Sequence, residues 1–370
     1  SEIIPQDCPG LPDGWIISKD SSPRFSNNSS RLVLKLNKYL PAKDTTIMDF
    51  ESAQLDVWRW DSKIIPPMSK SSSASSYRDE LSAIVNLDKP SAVLTLSQNP
   101  SDGISFLNGA DCDVAFSFDS HKYDISSMWL GDNINDISVV NLKDGSRKLL
   151  KEAFAGYAKA SDGGRYLVWF GLDDGAWHCM DVATKSEVNL TAQAGTNFYD
   201  EEDDHSGGYQ PYAYPKWTAD DQYVLLQDRY DIWRITPDGK NAVNLTKGAG
   251  RSAGIQYRYT DIRLHNNPYL YSNSSPLPLK DKIYLTAFDE KTRKNGFATL
   301  GAVVPAVPVT FTDTVSFTQA VQAKNSRTIA FLKGNFRNPM DLYLSSDDGK
   351  TQTRLTSINP QQSDYVWGNV

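Results

Sequence analysis

The chain has 370 residues, with 38 lysines and arginines against 45 aspartates and glutamates, and its net charge is -7. An acidic sequence in which no basic patch dominates disfavours a role in binding nucleic acid. Aromatic residues make up 11% of the chain, and with abundant valine, isoleucine and threonine they favour strands over helices.

The cysteines and the apolar stretches exclude further classes of protein. Cys8, Cys112 and Cys179 offer neither a disulfide framework nor the paired spacing of a zinc site. No apolar stretch approaches the roughly 20 residues of a membrane span, and no signal peptide opens the sequence. Because the chain starts without methionine, we expect a piece of a longer polypeptide. We expect no cofactor.

A turn rich in serine, aspartate, asparagine and glycine, followed by an apolar strand, recurs along the chain. Each copy predicts one β-hairpin. The six legible copies begin at Ser26, Gly109, Ser161, Thr218, Leu279 and Ala323.

The second half of the repeat is an aspartate, an apolar residue and often an aromatic one, which open another strand. Three copies start at Asp136, Asp231 and Asp341, and each ends in an Asp-Gly pair that predicts a tight type I′ turn. A partial copy at Leu55 and a variant at His178 extend the pattern.

Each repeat thus holds about four strands, and strand centres recur on the order of 50 residues apart, the length of a propeller blade. The predicted fold is all-β, a β-propeller of four-stranded blades, with six repeats legible and seven or eight if the ring is complete. We expect one propeller domain over residues 1–370. The serine-rich and mildly helical stretch at about 67–88 is interpreted as a surface insertion.

One motif suggests a catalytic nucleophile, because Gly250–Gly254 matches the glycine-serine-glycine elbow of α/β-hydrolases around Ser252. That elbow needs a buried strand before it, a helix after it, and then an acid and a histidine. The following residues alternate like a strand, and His265 is the sole histidine downstream. We therefore predict a glycine-rich loop between blades.

An acidic run, Tyr199 to His205, allows two interpretations. Clustered carboxylates can bind a cation or a ligand's ammonium group, but they also commonly form a solvated loop. The four histidines show no spacing typical of metal ligands, and we expect no metal site.

Several tryptophans could form a sugar-stacking platform or belong to the blade core. We favour the core, because they occupy repeat and strand positions. These residues are Trp58, Trp169, Trp177, Trp217 and Trp233.

The stretch from Phe154 to Ile262 resembles the propeller of bacterial exported serine peptidases of the prolyl oligopeptidase family, in particular its dipeptidyl-peptidase-like members. The resemblance is carried by NFYDEEDDH from Asn197, by KWTADDQYVLLQDRYDIWRITPDGK from Lys216 and by VNLTKGAGR from Val243. The ending SDYVWGNV resembles the lead-in to the hydrolase domain of that family.

This resemblance implies a non-catalytic module that gates access and selects peptide substrates. Its catalytic triad would lie in an α/β-hydrolase domain after Val370, so no catalytic residue is expected in the chain itself. Glu201 and Glu202 would bind the substrate's amino terminus, although the acid run is denser and the loop to Trp217 longer than in the family. The implied location is exported, periplasmic or at the cell surface, and homo-oligomers remain open.

An alternative hypothesis needs no enzyme. The chain would be a free-standing periplasmic or surface propeller that binds protein or glycan ligands.

Overall fold

The computed structural model describes residues 8–19, 21–39, 46, 48, 56–63, 66–67, 79–88, 92–131, 133–263, 277, 282–301 and 304–368. These residues divide into two compact units. Unit 1 holds the described residues of Ser1–Gly164 and Val182–Lys185, and unit 2 holds those of Arg165–Asp181, Ser186–Asn266 and Ser275–Val370. The prediction of a single domain stays a prediction.

Unit 1 contains two antiparallel sheets and one further strand. The first sheet has the order β1-β3-β4-β5, with β2 paired to β3, and the second has the order β6-β7-β8-β9. The strands are β1 Trp15–Ile17, β2 Arg24–Phe25, β3 Arg31–Lys38, β4 Glu80–Asn86, β5 Leu94–Thr95, β6 Asp102–Phe106, β7 Val114–Asp119, β8 Ile134–Asn141, β9 Arg147–Ala155 and β10 Ala158–Ala160.

Unit 2 continues with antiparallel strands that pair in chain order: β11 to β13, β14 to β17, β18 to β21, and β22 to β25. The strands are β11 Tyr166–Phe170, β12 Trp177–Asp181, β13 Glu187–Asn189, β14 Lys216–Trp217, β15 Val224–Gln227, β16 Ile232–Ile235, β17 Ala242–Asn244, β18 Ile255–Thr260, β19 Lys282–Asp289, β20 Asn295–Gly301, β21 Val309–Asp313, β22 Ser316–Gln322, β23 Ile329–Gly334, β24 Asp341–Ser345 and β25 Thr353–Arg354.

Helices are few in the described part of the chain. Two short α-helices are α1, Asp124–Leu130, and α2, Ala249–Ala253. Single 3₁₀ turns lie at Asn108–Ala110, His121–Tyr123 and Pro360–Asp364. The predicted class, an all-β chain of four-stranded propeller-type blades, is confirmed, and the number of blades in a complete ring stays a prediction.

Within each unit the core lies between successive sheets, as the apolar runs of their second strands require. All four residues of β15 are buried, which is typical of a strand covered on both faces. Leu225 on β15 shares one apolar cluster with Leu285 on β19 of the next sheet, and Phe297 on β20 shares another with Phe331 on β23. Burial of such side chains contributes roughly 1.5–3 kcal/mol each.

The repeated Asn-Leu-Thr at strand ends has a structural cause. The threonine hydroxyl accepts a hydrogen bond from a backbone N–H on the preceding strand, from Trp177 to Thr191 (3.3 Å) and from Ile232 to Thr246 (3.2 Å). Leu342 donates to Thr356 (2.9 Å) in the same way. In these three sheets the hydroxyl therefore ties the last two strands together.

The Asp-Gly turns are only partly as predicted. A type I′ turn needs positive φ at both central residues, and this holds for Asp348 (61°) and Gly349 (91°). At the other two sites only the glycine is left-handed, with φ 75° at Gly145 and 67° at Gly239. Gly239 N–H donates to Thr236 O (2.9 Å), so a type I turn precedes the glycine, and the type I′ prediction is wrong at these two turns.

The stretch predicted as a helical surface insertion at about 67–88 contains a central strand. Glu80–Asn86 forms β4, which pairs with β3 along its whole length, and its residues 81–85 are buried. The apolar run Leu-Ser-Ala-Ile-Val fits a strand covered on both faces, a pattern that periodicity cannot tell from a buried helix. Residues 68–78 lie outside the described residues.

Most of the singled-out tryptophans are core residues, as predicted. Trp169, Trp177 and Trp217 are buried, and Trp233 is half-buried. Trp58 is the exception, with 64% of its surface exposed. It lies in residues 56–63, which form no strand, so no neighbouring sheet covers the ring, and the core prediction is wrong there.

Candidate functional site

The acidic run lies in a long connection of unit 2 between β13 and β14, which we call the acidic loop, residues 197–212. Its base is anchored by Phe198, which is buried and packs edge-on against Trp233 at 6.0 Å between ring centroids. Asp200 N–H donates to Gln210 O (2.6 Å), which closes the loop on itself. The carboxylates between these two residues therefore lie on a loop whose ends are joined by a backbone hydrogen bond.

Glu201, one of the two predicted amino-terminus ligands, is exposed but fixed at its backbone. Its N–H donates to the hydroxyl of Tyr212 (2.9 Å), and its Oε1 accepts from Asn197 Nδ2 (2.8 Å). Neither partner is a cation, and the described residues form no ion pair with Glu201.

Glu202, the other predicted ligand, has a cationic partner. Its Oε1 accepts from Arg229 Nη2 at 2.5 Å, and the same guanidinium binds Glu290 Oε1 through Nη2 (3.0 Å) and Nε (3.1 Å). Arg229 thus links the loop to Glu290, on the turn after β19. The two glutamates are neighbours in sequence, but their carboxylates have different partners.

Glu290 is a half-buried carboxylate with several hydrogen-bond partners, and the sequence reasoning missed it. It accepts from Tyr230 OH (2.8 Å) and Gln256 Nε2 (2.7 Å) besides Arg229. Burial opposes its ionisation, but these hydrogen bonds outweigh burial and hold its pKa below the usual value. Arg229 and Tyr230 lie just before the repeated Asp231, outside any strand. These two large polar residues were the sequence feature that could have pointed to the hydrogen-bond network around Glu290.

The acidic loop borders an open concavity of about 630 Å³. Asp173, Asp200 and Glu201 line it, and none of the three forms an ion pair with a described residue. Tyr199 and Tyr209 form an aromatic wall, with ring centroids 4.4 Å apart. The concavity therefore combines carboxylates that form no ion pair with two tilted aromatic rings, a surface that suits a cationic group attached to an organic body.

Asp203, Asp204 and His205 at the end of the acidic run lie close together. Their ligand atoms fall within 4.8 Å of one another, and all three residues are exposed. Asp203 already accepts from His205 Nδ1 at 2.6 Å, a hydrogen bond that lowers the pKa of Asp203. Three such ligands are one fewer than a structural zinc site uses and half of the minimum that calcium requires.

Ser252 lies inside helix α2, four residues after the cap Gly248, and is exposed. The structure forms a short helix where the sequence predicted a glycine-rich loop. A strand leading directly into a strained turn, as a nucleophile elbow requires, is not what precedes Ser252, because β17 ends at Asn244. His265 lies outside the described residues.

The three histidines of the described residues hydrogen-bond no serine. His178 Nε2 contacts Asp174 Oδ2 (2.9 Å) and its ring stacks on Trp169. His121 Nδ1 contacts Lys63 Nζ (3.0 Å), and His205 contacts Asp203. Among the described residues we also find no helix long and apolar enough to cross a membrane.

Comparison with known proteins gives similarity to solved structures alone. No family model matches the sequence, and no curated protein matches it. A structure from a study of two prolyl endopeptidases is 8% identical, with a TM-score of 0.44, and the match covers 92% of this chain and 42% of that one. This chain thus spans less than half the length of that protein.

Two further structures cover more of their own chains. The β-propeller domain of the Trilobed protease from Pyrococcus furiosus is 11% identical, with a TM-score of 0.39 and coverage of 91% of this chain and 84% of that one. A putative TolB from Agrobacterium tumefaciens is 14% identical, with a TM-score of 0.32 and coverage of 90% and 79%. At such identities and TM-scores below 0.5, neither a family nor an activity is transferred to this chain.

Proposed function

We propose that this chain is the non-catalytic, substrate-selecting part of a serine exopeptidase or oligopeptidase and that its acidic loop binds the free amino terminus of a peptide. The observation that carries the proposal is the concavity lined by Asp173, Asp200 and Glu201, whose carboxylates have no cationic partner in the described part of the chain. The α/β-hydrolase domain that would cut the peptide belongs, in this proposal, to the same polypeptide.

An ammonium group fits this concavity for electrostatic reasons. Like charges held together in one concavity raise its negative potential, and a bound ammonium relieves that repulsion while donating up to three hydrogen bonds. The tyrosine wall would contact the first side chain of the peptide. An N-acetylated peptide would keep the contact with the tyrosines but has no positive charge to relieve the repulsion between the carboxylates.

Glu201 and Glu202 have different parts in the proposed site. Glu201, with only the neutral Asn197 on its carboxylate, binds the ammonium directly. Glu202 remains partly engaged with Arg229 and adds the second carboxylate at the rim. We also propose an exported location, periplasmic or at the cell surface, on the sequence resemblance alone.

The test is a binding measurement by calorimetry with a free dipeptide amide and its N-acetylated form. We expect the parent chain to prefer the free amino terminus and Glu201→Gln to weaken that binding about fivefold, since a partly exposed charge-assisted contact contributes about 1 kcal/mol. Glu202→Gln should have a smaller effect. Asp364→Asn, an exposed carboxylate on the last 3₁₀ turn, is the matched control.

Equal affinity of the parent for the free and the acetylated peptide would contradict the proposal. Equal affinity of the parent and Glu201→Gln for the free peptide would move the ligand away from the acidic loop. The proposed hydrolase domain has its own test, because the reading frame beyond Val370 should encode a serine elbow followed by an aspartate and a histidine.

Exposed tryptophans of unit 1 favour one alternative, a free-standing surface or periplasmic propeller that binds a protein or glycan. Trp58, Trp60 and Trp129 are 64%, 81% and 74% exposed, and aromatic faces bind sugars by stacking. Quenching of tryptophan fluorescence by an oligosaccharide that Trp60→Ala abolishes, together with a stop codon after Val370, would establish this function instead.

A further inference from the structure

Unit 2 has a second concavity, about 530 Å³ in volume, that is lined by other segments of the chain than the acidic loop. Its lining has more cations than carboxylates, so its charge is opposite to that of the acidic loop. It is formed where β18 ends and β19 begins, with the turns that follow β22 and β24 as its other sides. Gln322 N–H donates to Ile262 O (2.6 Å), which joins the end of β18 to β22 at this place. The walls are therefore held by backbone contacts.

Two tyrosines make the inner wall neutral and largely apolar. Burial raises the pKa of Tyr259 and of Tyr284 to about 12, so both remain uncharged phenols at neutral pH. Tyr284 donates its hydroxyl to Asp348 Oδ1 (3.1 Å). Ile262 and Ile283 add aliphatic surface beside the rings.

Two of the four cations that line the concavity are neutralised within the protein. Arg263 forms a two-point contact with Asp261, Nε to Oδ1 at 2.7 Å and Nη2 to Oδ2 at 2.5 Å. Lys282 Nζ binds Asp348 Oδ2 at 2.7 Å. Both carboxylates of the lining, Asp261 and Asp348, thus have a direct cationic partner.

The other two cations, Lys324 and Arg327, make no direct contact with a carboxylate. Both lie on the turn between β22 and β23, which is closed by Ala323 N–H donating to Thr328 O (2.9 Å). Neither forms a hydrogen bond or an ion pair with any residue that the structure describes. Arg327 is close enough to Asp348 to help lower the pKa of that carboxylate, but the direct partner of Asp348 is Lys282. The chain as a whole is negatively charged, with a net charge of -7. Two cations without a direct carboxylate contact therefore give this concavity a positive potential that the overall composition does not predict.

We propose that this basic concavity, defined by Lys324, Arg327 and the tyrosine wall, binds a small organic anion: a carboxylate or phosphate group carried on an apolar or aromatic body. A free guanidinium fork matches both anions with two parallel hydrogen bonds, and a lysine adds a point charge. The tyrosine and isoleucine wall takes up the apolar part. The volume falls within the range of roughly 300–1,000 Å³ typical of small-molecule sites.

The inference is independent of the role proposed for Glu201 and Glu202, which lie in a different loop. Its test is calorimetry on the full chain at constant ionic strength, with phenyl phosphate, benzoate and inorganic phosphate as probes and benzyl alcohol as the neutral control. We expect phenyl phosphate or benzoate to bind and benzyl alcohol not to bind. The stronger of the two aromatic anions identifies the preferred charged group.

The matched variants are Lys324→Gln/Arg327→Gln and, as control, Arg337→Gln, an exposed arginine on the next hairpin of the same sheet. We expect the double variant to weaken binding of the aromatic anion about tenfold or more, since two charge-assisted contacts are lost, and the control to leave it unchanged. Both substitutions are at exposed turns, so folding should be retained.

Two results would overturn the inference. The first is no binding of any anionic probe at millimolar concentration. The second is equal binding by the parent and the double variant, which would place the anion elsewhere. Inorganic phosphate that binds as tightly as phenyl phosphate would refute the apolar part of the ligand.

Discussion

Asp231, at the start of blade strand β16, and Glu201, in the acidic loop, carry the same charge in opposite surroundings. Asp231 is buried and accepts hydrogen bonds from Thr246 Oγ1 (2.6 Å), Gly250 N–H (3.0 Å) and Arg251 N–H (3.3 Å). Glu201 is exposed, and its carboxylate accepts one hydrogen bond, from the Asn197 amide.

Asp341, in a second copy of the repeat, shows the same contrast with Glu201. Asp341 is buried at the start of β24 and accepts from Thr356 Oγ1 (2.8 Å) and Ile358 N–H (2.9 Å), as well as from Arg354. A carboxylate that the fold has satisfied stabilises the fold, whereas one that the fold leaves without partners is available to a ligand. Three kinds of carboxylate can test this distinction.

The largest effect should come from Asp231→Ala. Three donors would lose their acceptor in a buried place, and we expect the free energy of unfolding to fall by about 3 kcal/mol. Urea denaturation measures the loss. Asp238→Asn, at the exposed turn of the same hairpin, is the control and should cost less than about 1 kcal/mol. Equal losses would break the distinction between blade carboxylates and surface carboxylates.

A smaller effect is expected for Glu290→Gln, which keeps the side-chain shape but removes the charge facing Arg229. Arg229 would retain Glu202, which is exposed, so we expect a loss of about 1 to 2 kcal/mol in the same denaturation experiment. A stability equal to that of the Asp238→Asn control would show that solvent screens the charges of this network. Glu290 would then, like the carboxylates of the acidic loop, contribute little to the stability of the fold.

The smallest effect concerns pH. Asp347, in the turn after β24, accepts from Thr351 N–H (2.8 Å), Thr351 Oγ1 (2.7 Å) and Ser345 Oγ (2.8 Å), and these bonds lower its pKa to about 2. Because the folded pKa lies below the unfolded value of about 3.9, the contribution is complete above about pH 4 and is lost as pH falls toward 2.

Asp347→Asn should therefore have a lower Tm than the parent at pH 6, and the difference should narrow as the pH falls below 4. Thermal unfolding monitored by circular dichroism at a series of pH values measures this, with Asp364→Asn as the control. A Tm difference that stays constant from pH 6 to pH 2.5 would exclude the ionised turn carboxylate as its cause.

The sequence predicted the blade strands well because their signal is local. A turn of polar residues followed by an unbroken apolar run gave β3, β11, β15 and β23, since such runs form strands wherever neighbouring sheets cover both faces. It failed at Glu80–Asn86, where the apolar run follows a long serine-rich stretch and was interpreted as helical, since periodicity does not separate a short buried strand from a helix. It also failed at Trp58, whose motif matches the repeat without a strand beside it.

The carboxylates show what sequence by itself determined and what only tertiary structure decided. The repeat marked Asp231 and Asp341 by position, and the acid run marked Glu201 and Glu202 by composition. Their partners come from other segments of the chain: Thr246 lies 15 residues from Asp231, and Arg229 lies 27 residues from Glu202. The sequence did not predict the basic concavity. Lys324 and Arg327 line it only because the end of β18 packs beside their turn, and the two carboxylates of the lining, Asp261 and Asp348, have Arg263 and Lys282 as their direct partners.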